Sequence, residues 1–225
     1  MSKSTQNIEG LLQKWNIQAV IFDLDGTLID NNSFHLRSWQ EYLKNNKMDI
    51  SEEAFRKNIN GRTNKDAIEY IYGRKMSEEE SWKYTLEKEA VYRKLYAPHI
   101  RPVKGLPELL ETIDELHIPM AIATSGIQVN IDFMFSYLPI KKYFQVVVNS
   151  AHIARGKPDP EIYLKTAEQL CIPAQDCLVF EDAAVGVTAA RSACMKVIAV
   201  TTTQTKEELS DADMIIENYD DENFI

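Results

Sequence analysis

The residues able to do chemistry come in short clusters, and the first is Asp23-Leu24-Asp25-Gly26-Thr27, directly after the apolar run Ala19-Val20-Ile21-Phe22. Side chains alternate along a strand, so Asp23 and Asp25 face the same way. Two carboxylates held together repel, which favours a shared proton or a bound cation. Such a pair can divide the labour of group transfer, one carboxylate as nucleophile and the other as acid and base. The cation reading implies Mg²⁺ and phosphate. Gly26 lets the chain turn sharply after the pair. An Asp-Gly dipeptide is also an ordinary turn signal, so this cluster alone leaves both readings open. A calcium loop is excluded by register: it needs Gly at its sixth position, and Gly26 is fourth.

Three later clusters bear on the choice. Thr124-Ser125 end the run Ile118-Pro119-Met120-Ala121-Ile122-Ala123 and precede a helix expected from about Ile127. A hydroxyl with backbone N–H groups at a helix N-terminus cradles an anion, and the same geometry serves as a helix cap. Lys157 lies in Gly156-Lys157-Pro158-Asp159-Pro160, where Asp159 is the expected N-cap and Pro160 the first helical residue. A loop stiffened in this way can hold an ammonium against a carboxylate and a phosphoryl oxygen. Glu181-Asp182 end the run Cys177-Leu178-Val179-Phe180. Acidic residues before a helix are often caps, but from a third strand end Asp182 can complete a hard-oxygen Mg²⁺ site with Asp23.

These clusters need a frame to position them. The spacing predicts helices over Phe34–Lys44, Glu52–Ile59, Asn64–Ile71 and Ser77–Leu95, the last opened by a Ser77-x-x-Glu80 capping box. A connection this long is not a loop. From about residue 106 the chain alternates: helix Leu106–Leu116, strand Ile118–Thr124, helix Ile127–Tyr137, strand Phe144–Asn149, helix Glu161–Leu170, strand Leu178–Glu181, helix Ala183–Ala193, strand Val197–Val200, and a last strand near Met214–Ile216. That pattern predicts an α/β fold with a doubly wound parallel sheet, and such folds place their sites at the carboxyl ends of strands. We expect residues 1–28 and 99–225 to form the α/β core and residues 29–98 an inserted helical cap.

Composition sets the bounds. A chain of 225 residues with 44% hydrophobic content can build one sizeable core. Its net charge of −9 argues against nucleic acid as a partner. The charge is uneven: residues 29–98 carry 13 Lys and Arg against 12 Asp and Glu, so the inserted region better suits an anionic substrate. Cys171, Cys177 and Cys194 have no paired metal spacing and read as buried thiols in a reducing compartment. Ser2 to Asn16 contain no long apolar run, so neither a signal peptide nor a membrane span is expected. The cytoplasm and a monomer are the expectations.

The four clusters, in this order, resemble the motifs of the haloacid dehalogenase (HAD) superfamily, and the likeness covers essentially the whole chain. With a cap between the first two motifs, it resembles the β-phosphoglucomutase-like group. The resemblance implies a Mg²⁺-dependent phosphoryl transfer. Asp23 forms an aspartyl-phosphate and Asp25 is the acid and base. Mg²⁺ is held by Asp23, Asp25 and Asp182 with support from Glu181; Thr124, Ser125 and Lys157 bind the phosphoryl oxygens. Transfer to water makes a phosphatase, and transfer to a sugar hydroxyl a phosphomutase. Substrate would be a small phosphorylated metabolite, for instance a sugar phosphate.

The cap evidence is divided. His35 in His35-Leu36-Arg37-Ser38-Trp39, and Lys88 four residues before Tyr92, resemble a histidine and a cap lysine of β-phosphoglucomutases. Those mutases carry Lys-Gly-x-x-Arg to grip the distal phosphate, whereas this chain has Asn60-Gly61-Arg62-Thr63-Asn64: the Lys is lost and the Arg displaced. Arg62 or Lys65 are the candidate substitutes. His35, Lys88 and the Gly61-Arg62-Thr63 loop also resemble phosphatases of the group, one acting on inorganic pyrophosphate. The balance favours a phosphatase, with a β-phosphoglucomutase or a pyrophosphatase as alternatives. A non-catalytic phosphate-binding module would have damaged Asp23, Asp25, Lys157 or Asp182, and all four are intact. Plainer readings stand beside the cap assignments: His35 as a packing residue, and Lys88, in Glu87-Lys88-Glu89, as part of a solvated face.

Overall fold

The computed structural model describes residues 3–59, 62–221 and 224. β1 (Ala19–Phe22) is buried along its whole length, as an unbroken apolar run permits in a parallel sheet covered on both faces. β2 (Met120–Ala123), β3 (Phe144–Val148), β4 (Cys177–Glu181), β5 (Lys196–Val200) and β6 (Met214–Ile216) complete a sheet of order β3-β2-β1-β4-β5-β6. Every pair is parallel, and Phe22 is in register with Ile122 on one side and Phe180 on the other. The expected α/β doubly wound fold is the observed one.

α1 (Lys3–Lys14) precedes β1; α2 (Asn32–Asn45), α3 (Glu52–Asn58), α4 (Asn64–Tyr72), α5 (Glu78–Tyr96) and α6 (Leu106–Glu115) lie between β1 and β2. α7 (Gln128–Tyr137), α8 (Glu161–Leu170) and α9 (Ala184–Ser192) follow β2, β3 and β4. Alternation along the strands divides the sheet faces. Val20, Phe22, Ile122, Phe180 and Ile198 pack with α1, α6 and α7, while Ile21, Ala121, Ala123, Val179 and Val197 pack with α8 and α9. Small Ala side chains on the second face bring α8 and α9 close. Helices α2, α3 and α4 gather a separate apolar cluster around Trp39, Tyr42, Leu43, Phe55 and Ile68. α5 turns a largely polar stripe inward: Ser81, Thr85, Lys88, Glu89, Tyr92 and Tyr96 are all buried.

Four local expectations are corrected. No element was assigned before residue 19, yet α1 packs Ile8 and Leu12 on the core. Cys171 and Cys194 are exposed, each adopting a left-handed backbone (φ 58° and 61°) just after a helix; Cys177 alone of the three is buried. Only half of the Ser77 capping box forms. The Ser77 hydroxyl accepts from the Glu80 N–H at 3.2 Å, but the Glu80 carboxylate pairs with Arg74 instead of reaching back. α8 spans Glu161–Leu170 as expected, but its N-cap is Pro160 and not Asp159, whose carboxylate accepts from the Glu161 N–H at 3.0 Å. Among the described residues, no helix is long and apolar enough to cross a membrane.

Candidate active site

Strand order reverses between β1 and β4, and parallel strands bring their carboxyl ends to one edge of the sheet. Asp23 follows β1, Thr124 follows β2, and Glu181 ends β4 with Asp182 next. Lys157 arrives from the segment between β3 and α8. Four chain segments far apart in sequence therefore converge. Gly26, with φ 81°, sits so tightly in the turn after Asp25 that a Cβ there would lie 2.1 Å from the Asp182 carboxylate.

The centre of the site is a buried charge cluster. Lys157 Nζ donates to Asp23 Oδ1 at 2.6 Å and also to Glu181 Oε1. Tyr163 Oη donates to the same Glu181 oxygen at 2.7 Å, and the Asp182 and Ala183 N–H groups donate to Glu181 Oε2 at 3.0 and 3.1 Å. Both oxygens of Glu181 are thus engaged by the protein. Asp182 accepts from Asn32 Nδ2 at 3.0 Å. Oxygens of Asp23, Glu181 and Asp182 lie within 4.8 Å of one another, facing one ammonium. Burial and the Glu181 and Asp25 charges outweigh Lys157 and push Asp23 up to about 8. Burial, Glu181 and Asp23 push Asp182 well up too. Burial disfavours the Lys157 ammonium, but Asp23 and Glu181 overcome that and keep it charged. Three hard-oxygen groups short of positive charge are a donor set that suits a small divalent cation.

Asp25 belongs to a second chain of contacts. Asn31 Nδ2 donates to Asp25 Oδ1 at 2.5 Å and to Tyr92 Oη at 2.6 Å, while Asn31 Oδ1 accepts from the Gly26 N–H at 3.1 Å. His35 Nε2 stands 3.3 Å from the same Asp25 oxygen, and Lys88 Nζ stands 2.9 Å from His35 Nδ1. An ammonium can only donate, so Nδ1 accepts and the ring carries its proton on Nε2, toward Asp25. The ring stacks on Tyr92 at 4.0 Å between centroids. Burial pushes the Asp25 carboxyl up, but His35, Asn31 and Lys88 outweigh it and hold the group below its usual range. Lys88 also donates to Glu89 Oε1 at 2.9 Å, and both are at most 2% exposed. Asn130 of α7 donates to Glu89 Oε2 at 2.7 Å and accepts from Arg93 at 2.8 Å.

Among the residues that line one chamber of about 70 Å³ are Asp23, Asp25, His35, Trp39, Arg62, Lys88, Thr124, Ser125, Gly126, Lys157, Glu181 and Asp182. Thr124 Oγ1 accepts from the Gly126 N–H at 2.9 Å, and the N-cap of α7 is Ile127, whose side chain makes no cap bond. Lys65 is exposed and faces a separate outer groove of about 930 Å³, so only Arg62 of the two candidate substitutes reaches the chamber. Gly61 lies outside the described residues. Lys88 is buried and not on a solvated face, and His35 meets Asp25 and Lys88 as well as stacking on Tyr92. Asn31, Tyr163, Glu89 and Asn130 were not singled out from sequence. Only Asn31 had a local signal, its place at the helix start, and there its side chain makes no cap bond.

A family model for haloacid dehalogenase-like hydrolases matches residues 20–200. The chain belongs to this family. A phosphorylated carbohydrates phosphatase of Thermotoga maritima is 30% identical over 179 residues, 79% of this chain and 82% of that protein. The β-phosphoglucomutase of Bacillus subtilis is 27% identical over 194 residues, 82% of this chain and 83% of that one. Among solved structures, a HAD hydrolase of family IA, variant 3, from Entamoeba histolytica superposes with a TM-score of 0.80 at 33% identity, covering 90% of this chain and 94% of the other. This HAD hydrolase is therefore an enzyme of the phosphatase and phosphotransferase kind, built on the β-phosphoglucomutase-like pattern.

Proposed function

We propose that this HAD hydrolase is a Mg²⁺-dependent phosphatase of small phosphomonoesters. Asp23 attacks phosphorus in line, the P–O bond to the leaving group breaks, and an aspartyl-phosphate forms. Asp25 delivers a proton to the leaving oxygen and afterwards takes one from the attacking water. Its accessible neighbour for orientation is His35, held by Lys88. Lys157, Thr124 and Ser125 bind phosphoryl oxygens. Asp23, Asp182 and the backbone carbonyl of Asp25 would hold Mg²⁺, with Glu181 acting indirectly because its oxygens are already engaged. The ion would supply positive charge to the phosphoryl oxygens and keep Asp23 ionised. Helices α2 to α5 act as a cap that excludes water.

The observation that carries hydrolysis over mutase chemistry is the cation count in the chamber. Lys157 is neutralised by Asp23 and Glu181, and Lys88 by Glu89. Among the described lining residues, only Arg62 remains without an ion-pair partner in the structure. A bisphosphate intermediate needs a firm grip on its second phosphate, and one arginine beside Trp39, Phe55, Ile59 and Ala67 better suits an uncharged, partly apolar leaving group. The test is incubation with Mg²⁺, β-glucose 1-phosphate and a trace of glucose 1,6-bisphosphate, following free phosphate and glucose 6-phosphate together. Phosphate without isomerisation is expected; glucose 6-phosphate without phosphate would establish a mutase. Release of phosphate from pyrophosphate alone would favour the third activity.

Two further outcomes are expected. Asp25→Asn should lower kcat on the order of 10² to 10⁴-fold while KM moves little; a loss confined to KM would contradict the acid/base role. The second concerns pH. Asp23 sits at about 8 in the fold against 3.8 ordinarily, so between those values the folded chain binds more protons than the unfolded one. Stability of the metal-free protein from this group therefore falls as pH rises through that window. Mg²⁺ competes with those protons. Its increment in Tm should be larger at about pH 8 than at about pH 5.5, and equal increments would count against a metal bound by Asp23.

A further inference from the structure

Of the described carboxylates that line the chamber, Asp23, Asp25, Glu181 and Asp182 all have a part in the proposed chemistry, and Glu89 has none. A buried carboxylate is costly unless it is paired and hydrogen-bonded, and Glu89 is buried and has both kinds of partner. Its Oε1 accepts from Lys88 Nζ at 2.9 Å and its Oε2 from Asn130 Nδ2 at 2.7 Å. Arg93 donates to Asn130 Oδ1 at 2.8 Å, which turns the Asn130 amide so that its Nδ2 faces Glu89. Burial pushes the Glu89 carboxyl up, but Lys88, His35 and Asn130 outweigh it and hold the group below its usual range. Glu89 is therefore an anion on the chamber wall.

Hydrogen bonding alone does not call for a charge at this position. A neutral amide oxygen would also accept from Lys88, which has His35 Nδ1 as a second partner at 2.9 Å. What the carboxylate adds is a negative charge beside a buried ammonium. The pair sums to zero, so Lys88 offers a ligand no net positive charge. The carboxylate itself also faces the chamber, where repulsion is poorly screened. We propose that Glu89 is a specificity-determining residue: by cancelling Lys88 it lets the chamber take one phosphoryl group and turns away a second anionic group on the same substrate. The favoured class is a phosphorylated alcohol or sugar with an otherwise uncharged body, against bisphosphates and phosphorylated acids. The proposal rests on the phosphatase reading for which group reacts, but the selection is a property of binding and is measured without turnover.

The test uses the full chain with Mg²⁺ and two phosphonates, propylphosphonate and 3-phosphonopropionate, which differ only in a terminal methyl or carboxylate. Affinities come from the concentration dependence of the ligand-induced rise in Tm, and from inhibition of p-nitrophenyl phosphate hydrolysis. The wild type should prefer propylphosphonate. Glu89→Gln should shift the affinity ratio toward 3-phosphonopropionate by about tenfold to a hundredfold, the scale of one charge-assisted hydrogen bond. General damage to the site would weaken both ligands and leave the ratio where it was. The glutamine amide would meet Asn130 Nδ2, so Glu89→Gln is also combined with Asn130→Asp. The new carboxylate then accepts from the glutamine amide and from Arg93, every hydrogen bond has a counterpart, and the negative charge has moved from Lys88 to Arg93. This double variant should shift the ratio in the same direction by a smaller factor. An unchanged ratio in Glu89→Gln, or in the double variant if the single one does not fold, would overturn the proposal, as would a wild-type preference for 3-phosphonopropionate. If the wild-type protein releases no phosphate from any ester, the phosphatase reading fails, and the Tm ratios alone then decide the role of Glu89.

Discussion

Replacing Asp23 with asparagine is expected to reduce Mg²⁺-dependent hydrolysis of p-nitrophenyl phosphate by about ten-thousandfold or more, the scale seen when a covalent nucleophile is removed. An amide nitrogen or oxygen does not take the place of a carboxylate that must bond to phosphorus. The same change should leave the protein folded. Lys157 keeps Glu181 as a partner, and one of three mutually repelling buried carboxylates is gone. The metal-free variant should therefore melt no lower than the wild type, and Mg²⁺ should raise its Tm less. Retained hydrolysis in the folded variant would remove Asp23 from the nucleophile's role. A dead variant with a full Mg²⁺ increment in Tm would place the ion elsewhere.

The largest effect on stability is expected at Lys157. It is buried and holds Asp23 and Glu181 from the centre of the cluster. Substituting methionine fills similar volume but leaves two buried carboxylates without a counter-charge, a change that costs about 3–5 kcal/mol in comparable buried pairs. Urea unfolding without metal would show it directly. Adding Glu181→Gln to Lys157→Met should return part of the loss, because removing both partners is milder than orphaning one. A single-variant loss under about 1 kcal/mol would mean that the cluster is already protonated or solvated enough not to need its lysine. Activity should vanish in both variants, since the group that meets Asp23 and the phosphoryl oxygens is absent.

The core of the site was legible because, Lys157 apart, its residues stand at the ends of apolar runs. Asp23, Thr124, Glu181 and Asp182 inherit their place from strand geometry, and a parallel sheet gathers strand ends without any further instruction. The insertion was harder to read. Glu87-Lys88-Glu89 looks like a wet helix face, yet Lys88 and Glu89 are 1% and 2% exposed. What distinguishes them is the stripe Ser81, Thr85, Lys88, Tyr92, which recurs at helical spacing and faces inward. A stripe of polar residues carries no hydrophobic signal, so periodicity of apolar residues passes over it. The role of Asn31 was missed for a different reason: its partner Tyr92 is 61 residues away, and its place at a helix start suggests only a cap. α1 has apolar residues at helical spacing, Ile8, Leu11 and Leu12, with Trp15 just beyond it, but polar flanks on both sides conceal them. The exposed cysteines follow helix ends whose left-handed turns are usually left to glycine.

The length of α5 has a mechanical consequence. Its 19 residues run from Glu78, beside the inserted helices, to Tyr96, which packs in the main core. At 1.5 Å per residue that is a rod of about 28 Å, continuous across both parts of the molecule. Anchored by the buried Tyr92 and Tyr96, it is a stiff arm whose outer end lies away from the main core. A tilt of about 10° would carry the far end through about 5 Å. Of the two anchoring side chains, Tyr92 stacks on His35 and accepts from Asn31, which also donates to Asp25. The placement of His35 beside Asp25 is therefore tied to the packing of one long helix.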